Sequence, residues 1–253
     1  MPLEFVPTLA RQLEVYRVPR SPERFAAYLA ATIGEAQHVA LLPLVSANPM
    51  AQEHLNIALE TWLTLGVDEA ARGYLQELEP ELSLAADYRV GLTVLDDLKG
   101  GWTNRFLNDS GFRFPKKILT DWIVVPLWVS EAPSLAALRV AVRLAVARAY
   151  FQARHGLPKT LLEMLAQEGF VQFTAGVQPT LSPDDLEYSR AVIQPLLGTL
   201  QTSVQFAALY GDVAAREVGY TPLGLSGFAG LELALADYAG TQTNFSGSTV
   251  LLP

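Results

Sequence analysis

The sequence predicts a mainly α fold, a helix-rich globular domain with little or no sheet. Three observations lead there. Half of the 253 residues are apolar and 17% are charged, against roughly 25% in an average domain, so there is a large core to fill and no solvating, disordered polymer. Helix start and stop chemistry recurs along the chain, with apolar residues at helical spacing between the signals. Segments with strand character are few and short. The length suits one large domain or two small ones. The expected division is a globular domain over 1–239 and a tail or arm over 240–253, where Gly, Ser and Thr accumulate before a final Val250-Leu251-Leu252.

Each element follows from local chemistry. Ser21-Pro22-Glu23 is an N-cap, a first-turn proline and an acidic first turn. It opens the stripe Phe25, Tyr28, Leu29, Ile33, which Gly34 closes. Asn48-Pro49 repeats the start before Leu55, Ala58, Leu59 and Trp62, with Gly66 as the stop. Asp68 caps a helix that ends near Pro80. An Ala-rich helix runs from Ser134 to His155, and a shorter one from Pro158 to Glu168, each followed by glycine. Ser182-Pro183-Asp184-Asp185 is a strong start. Two more helices are expected near 203–218 and 226–238. The alternative is an α/β fold with a short parallel sheet from segments near 39–45, 90–95 and 123–129. Pro43 and Pro126 weigh against central strands there.

Charge and cysteine content exclude several function classes. Eighteen Lys and Arg against 26 Asp and Glu give a net charge of -8. Nucleic-acid binding needs phosphates neutralised by basic residues, so no nucleic-acid partner is expected. Anionic membranes are disfavoured for the same reason. The longest apolar runs, Val39–Val45 and Trp122–Val129, fall short of the roughly 20 residues that span a bilayer. No cysteine is present, which removes disulfides, thiolate metal sites and a cysteine nucleophile. A soluble, cytoplasmic protein is the expectation. The apolar excess points to a homo-oligomer.

The densest polar cluster runs from Asp96 to Arg105 and follows an apolar segment. Gly100-Gly101 allows close backbone approach. Trp102 offers a stacking wall, and Thr103 and Asn104 offer a hydroxyl and an amide. Arg105 carries a planar fork suited to a carboxylate or phosphate. Asp97, with Asp96 beside it, is the expected catalytic base. Trp102, Thr103, Asn104, Arg105 and His54 are the expected ligand contacts. The structural alternative makes this stretch a helix end, with Arg105 paired to a nearby carboxylate.

Two further patterns carry chemistry. Glu35 and His38 form Glu-x-x-His, a spacing used in carboxylate-bridged di-metal helical bundles, with His54 as a further ligand. A second copy fails, because Gln152 stands three residues before His155. No metal is therefore the first expectation, with Glu35, His38 and His54 as the alternative ligands. Arg139, Arg143, Tyr150 and Arg154 share one helix face, which suits an acidic partner or the protein's own carboxylates. No Gly-x-Ser-x-Gly elbow occurs, and no motif names a cofactor.

Three functional readings follow. In the first, the chain is an enzyme or ligand-binding protein for a small polar or anionic molecule held around Asp96–Arg105. In the second, it is a non-enzymatic helical assembly or scaffold. The third is a helical di-metal oxidase using Glu35, His38 and His54.

Overall fold

The computed structural model describes residues 3–33, 39–51, 53–82, 84, 86–98, 104–118 and 121–246. Among these residues it contains eleven α-helices and three β-strands, so the fold is mainly α with a short parallel sheet. The chain divides into two compact units, residues 1–108 with 119–150 and residues 109–118 with 151–253.

The first unit contains β1 (Leu3–Val6), α1 (Leu9–Arg17), α2 (Pro22–Thr32), α3 (Leu42–Val45), α4 (His54–Thr64), α5 (Val67–Leu78), β2 (Tyr88–Leu95) and β3 (Trp122–Trp128). It also holds the start of α6 (Arg105–Arg113) and most of α7 (Leu135–His155). The sheet order is β1-β2-β3, all parallel, with Leu3 opposite Tyr88 and Arg89 opposite Trp122. β2 is central and buried along nearly its whole length, as its run of branched residues requires in a parallel sheet. The segments 90–95 and 123–129 thus lie in β2 and β3. The segment 39–45 does not form a strand. Pro43 has no N–H for a ladder, and it sits in the first turn of α3, where that donor is unnecessary. Val39 contributes only a bridge to Ile33.

Pro126 is accommodated because β3 is an edge strand. Arg89 N donates to Asp121 O and Val129 N donates to Leu95 O. The alternation between those two bonds places odd-numbered residues of β3 toward β2 and turns Pro126 outward. Gly91 is required by close approach, since a Cβ there would stand 2.5 Å from Pro43 Cγ.

β1 stops at Val6, opposite Gly91, and side chains then continue its edge. Thr8 Oγ1 donates to Leu92 O at 2.5 Å. Gln12 Nε2 donates to Val94 O at 2.7 Å, while Val94 N donates to Gln12 Oε1 at 3.0 Å. α5 buries Val67, Ala71, Leu75 and Leu78 as a single stripe. Each fully buried leucine contributes about 1.5–3 kcal/mol. The Arg139 and Arg143 face pairs with Glu77 and Glu81, at 2.6 and 2.9 Å.

The second unit is helical. It contains α8 (Leu161–Thr174), α9 (Pro183–Ile193), α10 (Thr202–Glu217) and α11 (Ala229–Ser246), with the end of α6 and the end of α7. α8 runs past Gly169, which the sequence marks as a stop. The glycine is retained there for packing instead: a Cβ on it would lie 2.6 Å from Ala234 O of α11. Gly211 kinks α10 at φ 79, and Asp212 beyond it accepts hydrogen bonds from the N–H groups of Leu223, Gly224 and Leu225. α11 continues to Ser246, beyond the change of composition at 240. No helix among the described residues is long and apolar enough to cross a membrane.

Candidate functional site

The carboxyl ends of β2 and β3 carry the polar cluster. Open parallel sheets present ligands there, because loops leaving the strand ends converge on that edge. Asp96 and Asp97 follow β2 directly, and the structure gives them different surroundings.

Asp96 is buried, and its Oδ2 lies 3.1 Å from His54 Nε2. Its Oδ1 accepts from Leu98 N at 3.1 Å. His54 is the first residue of α4, and 22% of its side chain is exposed. An almost fully buried guanidinium holds the loop in front of it. Arg24 donates to Val18 O, to Ala51 O at 3.0 Å and to Glu53 Oε1 at 2.9 Å. Tyr16 ties the same loop from α1 by donating to Asn48 O at 2.7 Å. Burial is the main force that raises the Tyr16 phenol above its ordinary range, and the charge of Asp96 adds to it, so Tyr16 stays a donor.

Asp97 accepts from Ser130 N at 2.9 Å, from Ser130 Oγ at 2.6 Å and from Arg105 Nη1 at 2.9 Å. Burial pushes its carboxyl up, but the hydrogen bonds from Ser130 and Arg105 outweigh that and hold it below the usual carboxylate range. Arg105 also reaches Glu131 and lies over the Trp128 ring, 4.4 Å from its centroid. These contacts fasten the end of β2 to the end of β3 and to the first turn of α6. A carboxylate this well solvated by fixed donors is a weak proton acceptor. Arg105 already faces two carboxylates. Asn104 Oδ1 accepts from Leu107 N at 3.0 Å, the bond of an N-cap that starts α6.

Of the expected site residues, the structure thus brings His54 onto Asp96 and Arg105 onto Asp97. Trp102 and Thr103 lie outside the described residues, as do Glu35 and His38. Among the described residues no group of three or more His, Asp or Glu is placed to hold a metal ion. The acidic neighbours of His54 are engaged: Glu53 by Arg24 and Asn56, Glu60 by Arg17.

A second polar concentration lies in the second unit. Glu168, fully buried on α8, pairs with Arg113, and Arg113 Nε donates to Asp109 Oδ2 at 2.5 Å. Tyr210 of α10 donates to the same Asp109 oxygen at 3.0 Å. Gln167 donates to Glu168 Oε1, and Gln152 donates to Gln167 Oε1, both at 3.0 Å. Burial weakens the hold of the Arg113 guanidinium on its proton, but the charges of Asp109 and Glu168 more than restore it, and the guanidinium stays charged. The network joins α6, α7, α8 and α10. Sequence reasoning missed it, although Asp109 and Arg113 stand four apart and Glu168 interrupts an apolar helix.

No protein-family profile, curated protein or solved structure matches the chain.

Proposed function

We propose that the chain binds a small polar or anionic molecule at the carboxyl end of its parallel sheet, with His54 as the contacting group and Asp96 as the carboxylate that orients it. One observation carries this reading: a buried aspartate 3.1 Å from Nε2 of a partly exposed histidine, at the end of the central parallel strand. A buried carboxylate at this distance behind an imidazole restricts how the ring can turn and so orients it. With Nε2 turned to Asp96, Nδ1 is left to meet the ligand. The pair suits proton transfer to or from a bound substrate, and in its charged form it suits an anion. Asp97 and Arg105, expected as base and anion clamp, are better suited to positioning the strand ends.

Thermal denaturation with inorganic phosphate and with short mono- and dicarboxylates tests the reading. At least one anion should raise the melting temperature of the wild-type chain and lose that effect in His54→Gln. Stabilisation that survives the substitution would place the ligand elsewhere.

A second reading, self-association as part of an assembly, is favoured by α2. Phe25 and Leu29 lie one turn apart on one face and are 47% and 37% exposed. Light scattering distinguishes a monomer from an oligomer.

A further inference from the structure

A pocket of about 660 Å³ opens in the second unit where α7 gives way to α8. Sites for small molecules occupy roughly 300–1,000 Å³. All of its lining residues belong to the second unit, whereas His54 and Asp96 belong to the first.

Local backbone chemistry builds it. Gly156 ends α7 with φ 80, a left-handed conformation, and turns the chain into Leu157 and Pro158, which line one wall. Phe151, one turn before the end of α7, supplies an aromatic face. The Phe151 ring packs against His155 on one side, at 4.5 Å between centroids, and against Phe170 on another, at 5.6 Å. The ring is therefore fixed in place before any ligand arrives.

The polar lining consists of His155, Lys159 and Glu163. Glu163 is already engaged. It forms a capping box with Thr160 and accepts from Lys159 N at 2.6 Å and Thr160 N at 3.0 Å. Those main-chain bonds hold its carboxyl below the usual range. Its negative charge is thus met by the start of α8. The Lys159 ammonium adds to the field on Glu163 without forming an ion pair among the described residues, and His155 makes its ring contact with Phe151. An immobilised aromatic face, apolar walls and two nitrogen-bearing side chains line the same space.

We propose that this pocket binds a small aromatic carboxylate, its flat body against Phe151 and its carboxylate at Lys159 and His155. The apolar body gains by leaving water, and the carboxylate gains a charge-assisted contact that a neutral molecule of the same shape lacks.

Calorimetric titration of the full chain with naphthoate tests this, with naphthalenemethanol as the neutral counterpart and acetate as the acid without a ring. Naphthoate should bind at least about tenfold more tightly than either. Lys159→Gln should weaken naphthoate about tenfold and leave naphthalenemethanol unchanged. Lys159 is exposed and its main-chain N–H is retained, so the variant keeps the capping box. Equal affinity for the acid and the alcohol, an unchanged naphthoate affinity in Lys159→Gln, or no naphthoate binding would each overturn the proposal.

Discussion

The carboxamide of Gln12 meets the main chain of Val94 as a neighbouring strand would, accepting from its N–H at 3.0 Å and donating to its C=O at 2.7 Å. Both main-chain groups are buried, and β1 has ended before reaching them. Gln12→Leu keeps the volume but leaves both without a partner. An unsatisfied buried group costs about 1–3 kcal/mol. With two such groups the variant should lose about 2–6 kcal/mol in urea denaturation, with an unchanged dependence on denaturant. Because Asp96 lies two residues beyond, anion stabilisation through His54 should weaken as well.

The His54 and Asp96 contact should appear as coupling energy. Asp96→Ala and His54→Ala, with the double variant, close a thermodynamic cycle. Residues in direct polar contact couple by about 0.5–3 kcal/mol. Additive losses of stability would show that the two side chains are merely adjacent.

Acid should destabilise the protein through Asp97 and Asp212. Burial raises both carboxyls, and hydrogen bonds to Ser130 and Arg105 in one case and to the N–H groups of Leu225, Leu223 and Gly224 in the other bring them below the ordinary value. A carboxyl depressed in the folded state stabilises above its unfolded value of about 3.9. That contribution disappears as pH falls through the folded value. Melting temperature should decline below about pH 4, and Asp97→Asn and Asp212→Asn should each flatten the decline while lowering stability at neutral pH.

Glu168 and Arg113 should behave as a buried ion pair whose halves cannot be removed singly. Glu168→Gln leaves the guanidinium with Asp109 as its one remaining buried counter-charge; breaking a buried pair costs up to about 3–5 kcal/mol. Its unfolding in guanidinium chloride should shift accordingly. Tyr210→Phe removes only one neutral donor from Asp109 and should cost about 1 kcal/mol.

Gly211→Ala should be among the most damaging single substitutions. The residue sits at φ 79, and a Cβ would stand 2.0 Å from Ser226 O. Backbone cannot yield as a flexible side chain does, so a loss of at least about 3 kcal/mol is expected from thermal melts. Gly176→Ala, also at positive φ but with open space around it, isolates the conformational part at about 1 kcal/mol.

Helices marked by paired signals were legible in the sequence: Ser21-Pro22, Ser182-Pro183 and the long helix to His155 match α2, α9 and α7. Elements defined by tertiary partners were not. β1 has four residues and acquires its identity from pairing with β2. α6 begins at Arg105, the last residue of the polar cluster, because Asn104 caps it. At the site, the sequence pointed to Asp96, Asp97, His54 and Arg105. The partners that distinguish the two aspartates, His54 for one and Ser130 for the other, lie more than thirty positions away and have no local signature.

The outward-facing proline of β3 also bears on how the sheet ends. A further strand laid against that side would find N–H donors at Val124 and Trp128 and none between them. Recruitment of an extended segment from another molecule is interrupted at the middle of the ladder. A chain with so few charged residues lacks much of the repulsion that keeps exposed strands apart in solution. At this position a single missing hydrogen performs that protective role.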